Sequence, residues 1–265
     1  MSFALEFYSI SWDALKAALV ERKPELLFKL EEVQWPGLLE DTDLGQPEHH
    51  LFADEPNPLS FAPGSSIREG FDELTEVVKR QPAAANNPPE VSDKAALVFA
   101  ALVRALGKPV GVIRHDGSVA SDKDGELPMD FRAMFLDGVA GSCLNNHRIG
   151  ETLVARPLFG LFHLDFLSWG GLSRSEIAEL LPKYAPPSTE EKADEEWQVI
   201  AASAQGWLDD LMNALRGAAA AQSDLVTLYL TVQEHYGSLG AELDDEMRGD
   251  FSWFGKVRSF FKKAS

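Results

Sequence analysis

One cysteine among 265 residues, Cys143, leaves nothing to pair with inside the chain. An internal disulfide framework is excluded, and a reducing compartment fits. No run of apolar residues reaches the roughly 20 that a membrane-spanning helix needs. The opening MSFALEFYSI lacks the basic n-region and apolar h-region of a secretory signal. Positive charge is scarce: 24 Lys and Arg stand against 42 Asp and Glu, a net −18. Such a chain repels phosphate at long range, which argues against nucleic acid as a partner. Walker A, dinucleotide-fingerprint, zinc-helix and nucleophile-elbow motifs are all missing. These absences predict a cytoplasmic, acidic protein with no cofactor.

The residues present suit a globular fold. Apolar residues make up 45% and aromatics 10%, enough for a substantial core. Phe3 to Ile10 reads as a strand, followed by a helix from Trp12 to about Glu21 behind Ser11 as N-cap. Pro24 opens a second helix carrying Leu26, Leu27, Leu30 and Val33. A proline-rich stretch, 36–65, follows. Ser66 and Glu69 form a capping box for a helix to about Gln81, with Ile67, Phe71, Leu74, Val77 and Val78 on one face. Ser92 caps a helix over Asp93 to Leu106 that is apolar on several sides and therefore central. Pro109 to Ile113 reads as a short strand, with His115-Asp116-Gly117 as its turn.

The densest aromatic stretch is Arg156 to Tyr184. Its first half reads as a buried, partly extended segment, with Trp169 as a binding aromatic if it lines a groove. Gly170-Gly171 reads as a turn. Ser173 and Glu176 then form a capping box, staple-flanked by Leu172 and Ile177, and Pro182 limits the helix. Another box, Ser188 to Glu191, opens the longest helix, roughly Thr189 to Arg216. Asp224 to Val232 is a β-type run and the best partner for the N-terminal strand. The expected fold is a helix-rich α+β domain over 1–250 with a small mixed or antiparallel sheet, including 3–10, 110–114 and 225–231. Residues 251–265 form a separate basic amphipathic helix: Lys256, Arg258, Lys262 and Lys263 with no acid, and Trp253, Phe254, Val257, Phe260 and Phe261 in one stripe.

Two constellations carry nucleophile or base chemistry. Cys143 and His147 are four apart, a spacing that a helix would close, and a nearby imidazole lowers a thiol's pKa. Gly141, Asn145 and Asn146 argue against that helix. His163 and Asp165, on alternate positions, form a base and its orienter if the segment is extended. His49-His50 has only Glu48 and Asp54 as near co-ligands, and the calcium-like run Ser121 to Glu126 has Ala120 and Phe131 where that loop needs carboxylates, so no metal site is expected.

The segments FALEFYSISWDALKAAL, ARPLFGLFHLDFLSWGGLSRSEIAEL and DLVTLYL together resemble an uncharacterised family of bacterial cytosolic proteins of unknown function. The resemblance implies a bacterial single-domain protein and brings no catalytic residue or substrate with it. The function expected from the residues is a non-enzymatic acidic module that binds a basic protein, as an immunity-type inhibitor of a toxin does. The alternatives are a hydrolase or transferase built on Cys143/His147 or His163/Asp165, and a peripheral membrane protein anchored through Trp253, Phe254, Lys256, Arg258, Phe260 and Phe261.

Overall fold

A computed structural model describes residues 2–21, 66–80, 90–115, 131–163, 167–186 and 195–232. All belong to one compact unit, Met1–Val232. The expected second helix at Pro24, the proline-rich stretch, His49-His50, the calcium-like run, the Ser188 capping box, the boundary at 250 and the basic tail lie outside the described residues.

Alternating strand side chains point to opposite sides of a sheet, and three of the four strands described here serve two cores. The strands are β1 (Ser2–Ile10), β2 (Lys108–His115), β3 (Leu167–Leu172) and β4 (Asp224–Val232). They pair antiparallel in the order β2-β1-β4-β3. The N-terminal strand does pair with the 224–232 run, in unbroken register from Ser2 opposite Val232 to Ile10 opposite Asp224. The protein is thus an α+β fold with an antiparallel sheet.

One face of the sheet carries Tyr8, Ile10, Val226, Leu228, Leu230, Leu167 and Trp169. Against it pack α1 (Trp12–Glu21), α2 (Ser66–Arg80) and α3 (Asp93–Leu106). Every residue of α3 from Ala95 to Val103 is buried, which explains why its apolar residues go all the way round. The other face carries Leu5, Phe7, Ile113, Leu172 and Leu225. It is covered by a π-helical stretch (Phe131–Ala140), α4 (Ile149–Val154), α5 (Arg174–Leu180) and α6 (Glu195–Ala220). Ala204, Leu208, Leu211 and Leu215 form the buried stripe of α6.

The local signals act as expected at the caps. Ser11 Oγ accepts from the Ala14 amide, Ser92 Oγ from Ala95, and the Ser173–Glu176 box closes in both directions. Asp224, at the start of β4, accepts from the first amides of two helices, Trp12 of α1 and Arg174 of α5, each at 2.9 Å. One carboxylate therefore terminates two helix dipoles and ties both helices to the sheet.

Gly170-Gly171 is not a turn. Both glycines lie inside β3, all six residues of which are buried. A Cβ on Gly170 would stand 2.2 Å from the Thr152 carbonyl oxygen, and one on Gly171 2.3 Å from that of Leu225. The glycines are there because the backbones of α4 and β4 approach too closely for any side chain. The turn comes earlier. Leu158 and Leu161 exchange backbone hydrogen bonds around Phe159 and Gly160, both at positive φ, forming a tight two-residue hairpin. A phenylalanine in the left-handed region is unusual. Its ring meets that of Trp12 edge-on, with centroids 6.5 Å apart.

Candidate functional site

The Cys143/His147 spacing closes only on a continuous helix. The helical turn Gly141–Cys143 stops at once, and Asn145 adopts a φ of 49°. Cys143 is buried, its thiol pushed up by desolvation, whereas His147 is exposed. Burial disfavours the thiolate that nucleophilic chemistry requires. Cys143 instead packs with Val139, Ala140 and Leu144 as a small apolar group, and its carbonyl accepts from the Ala185 amide at 2.8 Å.

His163 does find a carboxylate, but from another element. Its Nε2 lies 3.0 Å from Oδ1 of Asp93, the first residue of α3, and its Nδ1 faces the Leu167 carbonyl oxygen at the entry to β3. Asp165, the orienter expected from sequence, lies outside the described residues. The His163 ring is 3% exposed and stacks on Trp169, with centroids 6.2 Å apart. Trp169, expected as a binding aromatic, is a core residue at 1% exposure. Its ring packs on Phe99 at 4.6 Å and its Nε1 donates to Leu161. The groove expected around it is filled by the protein itself.

Sequence reasoning missed two polar clusters. In the first, Arg104 of α3 grips Glu6 of β1 with two hydrogen bonds of 2.7 and 3.0 Å, and the Tyr8 hydroxyl donates to the same carboxylate at 2.8 Å. Burial, then the Glu6 charge and hydrogen bond, push the Tyr8 phenol well above its ordinary range, with Arg104 opposing. A phenol so placed stays protonated and serves as a donor. The alternation of β1 was the available signal: Glu6 sits at a position whose neighbours on that face, Tyr8 and Ile10, point into the core.

In the second cluster, Arg156 lies over the Trp12 ring at 5.3 Å and donates to both Glu176 oxygens at 2.8 Å and to the Gly171 carbonyl at 3.1 Å. Burial raises the Glu176 pKa. Hydrogen bonds from Arg156 and from the backbone and hydroxyl of Ser173, with the Arg156 charge, outweigh burial and hold the carboxyl below its usual range. Arg156 borders an open cleft shared with Asn146, Arg148, Glu151 and Thr152. Both of its guanidinium groups are already matched to carboxylates, since Arg148 forks onto Glu151 at 2.9 Å.

Among the described residues, no three His, Cys, Asp or Glu side chains converge as metal ligands, and no helix is long and apolar enough to cross a membrane. Charge is distributed unevenly. The described residues hold 18 acids against 14 bases, a net −4, so −14 of the total −18 lies elsewhere in the chain. Comparison with protein-family models, curated proteins and solved structures finds no significant match.

Proposed function

We propose that the protein is a non-enzymatic, cytoplasmic binding module that captures a basic protein, in the manner of an immunity-type inhibitor. The observation that carries this reading is the location of the charge. The framework is nearly balanced, whereas residues 22–65, 116–130 and 233–250 carry −6, −4 and −5. Concentrated negative charge accelerates encounter with a basic surface and makes the complex sensitive to salt. The reading also draws support from the two catalytic candidates: one thiol is buried while its histidine is exposed, and one histidine is engaged on both nitrogens within the core.

The test is capture from native lysate with the full chain and with a version ending at Asp250, followed by titration of the captured protein. A stoichiometric basic partner is expected with both. Its Kd should weaken at least tenfold between about 50 and 500 mM salt. An unchanged Kd overturns the reading. Binding to anionic vesicles that vanishes with the truncation would instead assign the function to residues 251–265.

A further inference from the structure

A guanidinium carries five N–H donors in a planar fork, and an edge such as Nε–Nη2 can grip two oxygens of one anion side by side. Arg156 spends only one corner of that fork inside the protein. Its Nη1 donates to both Glu176 oxygens and to the Gly171 carbonyl, and no described residue accepts from its Nε or Nη2. The Trp12 ring lies against one face at 5.3 Å and holds the plane in position. The side chain is 33% exposed. Arg148, 78% exposed, is also only partly used: Nε and Nη2 fork onto Glu151, and no described residue accepts from Nη1. Asn146 turns its Oδ1 to the Arg148 amide at 3.1 Å, which leaves its Nδ2 as a further donor.

These three side chains line one cleft of about 370 Å³. It runs along the outward face of α4, past Arg148, Glu151, Thr152 and Ala155, whose spacing of three and four puts them on one side of the helix. Ile149, Gly150, Leu153 and Val154 are buried on the other. Glu176 and Gly171, which hold Nη1, do not line the cleft, so the rest of the fork is what Arg156 brings to it. Two arginines against one glutamate give the lining a net +1, in a chain whose total is −18. We infer that this cleft binds a carboxylate, gripped by the Nε–Nη2 edge of Arg156 with Arg148 and Asn146 as further donors. The Arg148–Glu151 pair is exposed and contributes little to stability, so Arg148 can turn to a ligand at small cost. A dianionic phosphate would meet twice the repulsion from Glu151 and Glu176 that a carboxylate meets, and the acidic chain adds to it. The carboxylate belongs to a small organic acid or to the C-terminus of a peptide. The site is independent of the protein-binding reading above.

The test is an NMR titration of the full chain, read at the Trp12 indole N–H, whose ring lies against Arg156. Sodium acetate at neutral pH and constant ionic strength should move this resonance saturably, with a midpoint on the order of 10 mM. Sodium chloride in its place should not. Arg156→Lys keeps the charge but loses the fork, and should weaken acetate binding at least tenfold, with a thermal melt to show that the variant folds. Glu151→Gln, at an exposed position, removes the one glutamate in the lining and should tighten acetate binding about threefold. N-acetyldiglycine separates the two sources: binding about tenfold tighter than acetate names a peptide C-terminus, and equal midpoints name a small free acid. A shift that grows linearly with either salt overturns the inference. So does inorganic phosphate binding more tightly than acetate, or an acetate midpoint that Glu151→Gln leaves unchanged.

Discussion

The two outer strands of the sheet are protected in opposite ways. β3 is buried throughout, pressed by α4 on one face and by Trp12 and α3 on the other. β2 leaves Lys108, Pro109, Val112 and Arg114 exposed, and its register with β1 slips between Phe7 and Tyr8, where two residues advance against one. Lysine, proline and a bulge are devices that discourage a second chain from adding to an open edge. Close packing and irregularity thus solve one problem at the two ends of a four-stranded sheet. The difference teaches that a glycine in this fold can face rigid backbone carbonyls at one end of the sheet and a side-chain methyl at the other.

Substitutions should break that contrast in graded fashion. Gly170→Ala is the most damaging, because its Cβ would meet backbone carbonyls of α4 that no rotamer change can move. Loss of soluble expression, or a cost above about 4 kcal/mol by denaturant titration, is expected. Arg104→Met comes next. It strands the Glu6 carboxylate, 10% exposed, between β1 and α3, at a cost of about 3–5 kcal/mol that adding Glu6→Gln should partly restore. Glu176→Gln keeps an acceptor for the Ser173 amide but removes the charge paired with the partly exposed Arg156, and should cost about 1 kcal/mol. Because the folded carboxyl titrates below its ordinary range, its contribution is present at neutral pH and disappears as pH falls into the acid range. The pH–stability curve of Glu176→Gln should therefore be flatter on its acid limb. On β2, Gly111→Ala places a Cβ 3.2 Å from a single methyl, that of Ala214, and should cost about 1 kcal/mol. Val112→Lys, on the exposed strand, should stay within about 0.5 kcal/mol. Equal costs for Gly170→Ala and Gly111→Ala would dissolve the comparison.

What could be read from sequence divides along the same line as these costs. Ser11, Ser92 and the Ser173–Glu176 box were legible because a cap is decided within four residues. The buried stripes of α2, α3 and α6 were legible because they are periodic. β3 was not. A glycine pair marks backbone that must be free of side chains, and both a turn and a close packing contact meet that need. Only the position of α4, whose Thr152 lies 18 residues before Gly170, distinguishes them. Asp93 could not be read as a partner of His163 for the same reason: it is seventy residues distant and meets the histidine only once α3 lies across the sheet. Cys143 and His147 failed as a pair where the sequence already warned of it, at Asn145.

The central pairing of β1 with β4 has a consequence for biosynthesis. Ser9 and Ser223, whose hydroxyls meet where these strands join, are 214 residues apart. At roughly 5–20 residues per second, the first strand made waits on the order of ten seconds or more for its neighbour to leave the ribosome. Until then β1 lacks β4 and has the bulged pairing with β2, and its Leu5 and Phe7 on one face and Tyr8 on the other lack part of their cover. The emerging chain is therefore most vulnerable to holdase chaperones and to misassociation during translation, and the sheet closes only as its last strand is delivered.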